Sequence, residues 1–174
     1  MTIRSEAGLL SLLMVLIILG ASGVLAFLER KVSGKPYDER QEIARGKAAQ
    51  GGFFSMALFL VAMILIQGVV DTGISNELVI WMGIYLGIGV YSTVAIWQDA
   101  YVALTHSYEQ NLLSLGMLAG FRWMRLTSKL GEYTFGPGDT EGWVDVGAVV
   151  LFTWIVGLLF VKWLMKKQQE AEEE

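Results

Sequence analysis

The sequence predicts an all-α integral membrane protein with about four transmembrane helices and one amphipathic cytoplasmic helix extending from the third span. Three observations predict this class. Of the 174 residues, 54% are hydrophobic and 17% charged, with a mean hydropathy of +0.51, a balance rare in soluble domains. The apolar residues fall into blocks at 9–28, 53–70, 78–97 and 144–165, each about 18–22 residues long and almost free of charge. A helix needs about 20 residues to cross a hydrocarbon core of about 30 Å, and it satisfies its own backbone groups in lipid. The short alternating segments of a transmembrane barrel do not occur. Residues 1–174 therefore read as a single membrane domain.

The first block ends in Val24-Leu25-Ala26, which would suit signal cleavage. However, only Arg4 precedes the block, while Arg30, Lys31 and Lys35 follow it. Positive charge behind an apolar segment tends to stay cytoplasmic, so a retained helix is expected. In the connection 29–52, Gly34 and Pro36 break the chain. Asp38 then occupies an N-cap position with Gln41 three residues on, the spacing of a capping box. A helix is expected from Glu39 straight into the second span. Gly51-Gly52 falls at the expected membrane surface, where it permits a bend or a close neighbour. Beyond the third span, apolar residues recur at Tyr101, Leu104, Tyr108, Leu112, Leu115, Ala119, Trp123 and Leu126. Steps of three and four make one helical face. The resulting helix is expected in a cytoplasmic segment 98–143, extending span three, lying on the membrane or packing on a partner. Gly131 and Gly136-Pro137-Gly138 end it, and Trp143 suits an interfacial anchor before span four. The acidic tail 168–174 is expected to be solvated.

Lysine and arginine give the orientation. Six lie in 29–52, none in 71–77, three in 98–143, one at the N-terminus and three near the C-terminus. With connections one and three inside, the inner side carries nine and the outer side four, so both termini are expected outside the cytoplasmic membrane. Lys162, Lys166 and Lys167 argue against that arrangement.

Composition and pattern also exclude some chemistry. There is no cysteine and one histidine, His106, so no thiolate or multi-histidine metal site exists and no cofactor is expected. His106 is the side chain expected to titrate near neutrality. No phosphate loop, zinc-protease helix or nucleophile elbow is present, and no basic helix suggests direct nucleic-acid binding. The span middles lack the ionisable groups of ion-coupled transporters. Gln67, Tyr85, Tyr91, Ser92, Thr93 and Thr153 read as inter-helix hydrogen-bonding and packing groups, and Gly83-xxx-Gly87 as a close-packing motif.

What remains is a polar cluster at the cytoplasmic surface: Tyr37, Asp38, Glu39, Arg40, Gln41 and Arg45 on one element, Asp99 and Tyr101 on another. A carboxylate at headgroup level needs a counter-charge, and Arg40 is the expected partner of Asp99, with Arg45 second. The cluster is either a clamp between two helices or a binding surface.

The ordered set Lys35-Pro36-Tyr37-Asp38-Glu39-Arg40-Gln41, Ala44-Arg45-Gly46-Lys47-Ala48 and Asp99-Ala100-Tyr101 resembles a group of uncharacterised small multi-span membrane proteins of Gram-positive bacteria. That group carries a YDERQ–RGKA signature and a later DAY. The resemblance covers roughly residues 35–104, about 40% of the chain. It implies a multi-span protein of the cytoplasmic membrane and, since genes for such proteins often sit beside compact helix-turn-helix regulators, regulation rather than catalysis.

The expected function is a non-enzymatic sensing, tethering or regulatory binding protein. Its expected partners are the lipid bilayer, a cytoplasmic regulator or membrane partner, and further copies of itself. The alternatives are an accessory transporter subunit or small oligomeric permease, and a lipid-acting enzyme using Asp99 or Asp38.

Overall fold

Asp38 starts the first helix of the computed structural model, which describes residues 37–102, 107–136 and 139–172. The predicted first span 9–28, the connection up to residue 36, and His106 lie outside the described residues. Four helices, and no strand, form among the described residues: α1 (Glu39–Val69), α2 (Asn76–Trp97), α3 (Tyr108–Lys129) and α4 (Thr140–Glu172). Three of them, α1, α2 and α4, are long and apolar enough to cross a membrane.

The expected capping box forms. Asp38 Oδ1 accepts the Gln41 N–H at 2.6 Å, and Gln41 Oε1 accepts the Asp38 N–H at 3.4 Å. The helix then continues unbroken for 31 residues, about 46 Å. Gly73, at φ 65°, turns the chain, and Ser75 caps α2 by accepting from Leu78 N–H at 3.1 Å.

The helices pack in the order α1, α2, α4, α3, each touching only its neighbours in that order. They make an open layer, not a closed bundle. Glycine sets the spacing between α1 and α2. A Cβ on Gly52 would lie 2.6 Å from Gly87 O, and one on Gly87 would lie 3.1 Å from Gly52 O. Gly83 instead receives a side chain of α1, with Leu60 Cδ2 lying 2.9 Å from an added Cβ. The Gly83-xxx-Gly87 motif is therefore an occupied helix contact, of the kind small residues permit between backbones.

Helices α2 and α4 run parallel. Ser75 Oγ and Thr140 Oγ1 share a hydrogen bond of 2.8 Å at one end. The Tyr85 hydroxyl donates to Val144 O at 3.1 Å, and the Trp154 indole donates to Thr93 Oγ1 at 3.0 Å. At the other end Lys162 Nζ donates to Trp97 O at 3.2 Å. Helix α3 returns antiparallel along α4. Lys166 Nζ lies 5.5 Å from the Tyr108 ring centre, the Trp123 indole donates to Thr153 Oγ1 at 3.0 Å, and Lys129 reaches Glu141 at 2.6 Å. The face predicted from periodicity supplies Tyr108, Leu112 and Leu115 against a core of Ile96, Val102, Leu151, Ile155 and Leu159.

Two expectations are corrected by this arrangement. The helix of the third connection does not extend span three. A cap at Gln98–Ala100 ends α2, and α3 starts afresh at Ser107 with its own capping box to Gln110. Residues 98–143 also do not collect at one end of the layer. They begin beside the start of α1, where Gln41 reaches Asp99, and finish beside Ser75 at the other.

Two glycines of α1 should respond oppositely to alanine. Nothing lies within 4 Å of a Cβ on Gly46, so Gly46→Ala should stabilise by roughly 0.5–1 kcal/mol through helix propensity. Gly52→Ala pushes a methyl into the backbone of α2 and should destabilise by about 1–3 kcal/mol. Thermal midpoints of the two variants in detergent check the contrast.

Candidate functional site

The two halves of the sequence-predicted cluster meet at the end of the layer where α1 begins and α2 stops. Helix α2 closes with Ala100 N–H donating to Ala95 O at 2.8 Å and Asp99 N–H donating to Ile96 O at 3.1 Å. These are the two bonds of a Schellman cap, and fully buried Ala95 and Ala100 supply its apolar contact. The position between them is usually glycine, because it needs a left-handed backbone. Here it is Asp99, with φ 55°.

Three other elements converge on Asp99. Gln41 Nε2 of α1 donates to its carbonyl oxygen at 2.8 Å. The Tyr108 hydroxyl of α3 donates to Oδ1 at 2.7 Å. Lys162 Nζ of α4 pairs with Oδ2 at 3.0 Å. The Asp99 side chain is still 62% exposed and lines a groove of about 580 Å³ together with Gln41, Tyr108, Lys162, Trp163 and Lys166. Lys167 Nζ lies 4.7 Å from the Trp163 ring centre.

The expected Arg40–Asp99 pair is thus replaced. Gln41 makes the link between the motifs, and Lys162 supplies the charge. Arg40 and Glu39 sit exposed on the first turn of α1 and make no ion pair among the described residues. Arg45 places its guanidinium 3.8 Å from the Tyr37 ring centre, a cation–π contact. Tyr101 is half-buried against the core, and burial pushes its phenol above the ordinary value, with Tyr91 and Tyr37 adding to the rise. Tyr108 and Lys162 belong to the site although their sequence positions do not mark them for it. By spacing Tyr108 belongs to an apolar stripe, and Lys162 gains its partner only through the parallel packing of α4.

A second polar cluster occupies the opposite end. Asp145, with its side chain 5% exposed, pairs with Arg125 at 3.0 Å and Arg122 at 4.0 Å and accepts from the Tyr133 hydroxyl. Glu141 takes Arg125 at 3.5 Å and Lys129 at 2.6 Å. Partial burial and the bond to Asp145 push the Tyr133 phenol up to about 12. Asp139 braces the adjoining loop by accepting N–H groups from Thr134 at 2.8 Å, Phe135 at 3.0 Å and Gly142 at 3.0 Å. These donors, Gly142 foremost, hold its carboxyl below the usual range. Among the described residues no group of three His, Asp or Glu side chains is arranged to hold a metal ion.

No protein-family model, curated protein or solved structure matches the chain.

Asp99→Gly relieves the left-handed backbone while removing the carboxylate, whereas Asp99→Ala removes the carboxylate and keeps the strain. The glycine variant should be the more stable of the two by about 1–2 kcal/mol, read as the difference in detergent melting. The folded pKa of Asp139 lies below its unfolded value of about 3.9, so its contribution to stability is present above that value. It is lost as pH falls through the folded pKa. Asp139→Ala should flatten the acid limb of a thermal-midpoint profile taken from about pH 5 downward. An unchanged profile would show that the Asp139 contacts do not hold the loop.

Proposed function

We propose that the protein is a multi-span protein of a bacterial cytoplasmic membrane that senses or tethers by binding, without catalysis. In this reading α1, α2 and α4 cross the bilayer, and the groove around Asp99 faces the cytoplasm and receives a regulator or membrane partner.

Charge supports the orientation. Arg40, Arg45 and Lys47 at the start of α1 share one end of the layer with Lys162, Lys166 and Lys167 of α4. The C-terminal lysines, which oppose a topology counted along the linear sequence, agree with one counted in space. By the positive-inside rule, this end would face the cytoplasm together with the C-terminal end of α4, in place of the outside C-terminus expected from the linear count. At the other end Arg122, Arg125 and Lys129 are matched against Asp145 and Glu141.

The observation that carries the binding role is Asp99. A non-glycine residue kept in a left-handed cap marks a place where the side chain is worth its backbone cost. Its carboxylate is held by Lys162 and Tyr108 at the mouth of a groove rather than buried. The resemblance of residues 35–104 to small multi-span bacterial membrane proteins points the same way. The openness of the layer, with α1 and α3 at its edges, favours the accessory-subunit alternative, since such edges accept further helices.

Crosslinking in the native membrane tests the proposal. The tagged protein is purified after mild crosslinking, in parallel with Asp99→Gly and with Arg40→Ala as a control outside the site. A defined partner lost only in folded Asp99→Gly is the expected result. The same partners in all three would return Asp99 to a structural clamp and turn attention to the spans and transport.

A further inference from the structure

We infer that α3 crosses the membrane as well, a fourth such helix among the described residues, and that Asp145 is the counter-charge that carries its arginines across. The inference rests on the reading that α2 and α4 are membrane spans.

Parallel neighbours impose the crossing. Trp97 ends α2 beside Lys162, and Thr140 begins α4 beside Ser75 at the opposite end. A chain leaving one end and entering at the other must traverse the thickness between them. Helix α3 does so, with 22 residues covering about 33 Å. A helix lying on the membrane surface would meet α4 at one level only. Instead α3 meets it at Lys166, Thr153, Asp145 and Glu141 in turn.

The composition of α3 agrees once its partners are known. Residues 110–121 carry no charge. Its face away from α4 exposes Leu113, Met117, Phe121 and Met124, a continuous apolar strip that suits lipid and is unfavourable in water. Arg122 and Arg125 interrupt the apolar run, and cations at that depth need a partner. Asp145 lies one turn inside α4 from Glu141 and is almost wholly buried between the two arginines. Arg122 Nε is buried without a hydrogen bond among the described residues, so this arginine depends on its distant pairing with Asp145. Removing Asp145 would leave two arginines with only Glu141, which is exposed and shared with Lys129.

The chain has no cysteine, so single cysteines report sidedness directly with a membrane-impermeant maleimide on intact spheroplasts. Asn76→Cys and Gln169→Cys test the premise, and Glu109→Cys and Glu132→Cys flank α3. The expected result is external labelling at 76 and 132, with 109 and 169 labelled only after permeabilisation. Glu132→Cys protected like Glu109→Cys, with 76 outside and 169 inside, overturns the crossing and leaves the proposed function intact. Positions 76 and 169 on the same side overturn the premise itself.

Asp145→Leu tests the counter-charge. Labelling at 132 should drop to background while labelling at 76 persists. Adding Arg122→Leu and Arg125→Leu should restore it. Should Asp145→Leu alone fail to accumulate, recovery in the triple variant supports the counter-charge and continued loss overturns it. Full external labelling at 132 in Asp145→Leu also overturns it.

Discussion

Ser75 meets Thr140 at one end of the helix layer, and Trp97 meets Lys162 at the other. This parallel pairing of α2 with α4 governs the rest of the structure. Two consecutive apolar spans joined by a short turn must be antiparallel, as α1 and α2 are. Parallel spans need a connection long enough to return, and that connection is α3. The same pairing brings Lys162 to Asp99, because α4 ends where α2 ends. Had α4 run the other way, the C-terminal lysines would lie beside the Ser75 turn and Asp99 would lack its cation.

The layer is thin, and its contacts use small groups and single hydrogen bonds more than interlocking bulk. Gly52 and Gly87 let two backbones touch, and Gly147 receives one edge of the Tyr85 ring, whose Cδ2 and Cε2 lie 2.6 Å from an added Cβ. Thr93 and Thr153 each accept one indole N–H. In a bilayer the hydrophobic effect does not drive helices together, so close approach and hydrogen bonding carry the association. In the proposed membrane setting, the exposed apolar side chains of α1, among them Phe54, Leu58 and Leu65, would face a solvent as apolar as themselves.

What the sequence made legible was local. The capping box at Asp38 and Gln41 spans three residues and formed as read. The long helix from Glu39, the three described apolar blocks and the packing face of Leu112 and Leu115 follow from periodicity and length. The start of α3 was also legible, in Ser107 and Gln110, but the apolar period running through Tyr101 and Leu104 masked it. Two features could not be read. A left-handed cap is signalled by glycine, and Asp99 carries no such mark. The partners of Asp99 and Asp145 depend on which helices lie parallel, and hydropathy is blind to direction. For the same reason α3 reads as a surface helix: Glu109, Arg122 and Arg125 depress its apolarity until Asp145 is placed beside the arginines.

Asp99 lies at the end of α2 and touches an element of every other helix: Gln41 from α1, Tyr108 from α3 and Lys162 from α4. Helices α1 and α4 do not otherwise pack on each other, nor do α1 and α3. One residue therefore joins segments that the layer keeps apart, and it does so at the mouth of a groove. A partner that drew Lys162 away from Asp99 would release α4 from the cap and leave Tyr108 as the only remaining side-chain contact of the carboxylate among the described residues. Occupation of the groove would then alter how α3 and α4 are fastened to the α1–α2 pair. A tether would need only the groove, whereas the proposed sensing role would also use this coupling, which runs through the Asp99 carbonyl to α1 and through its carboxylate to α3 and α4.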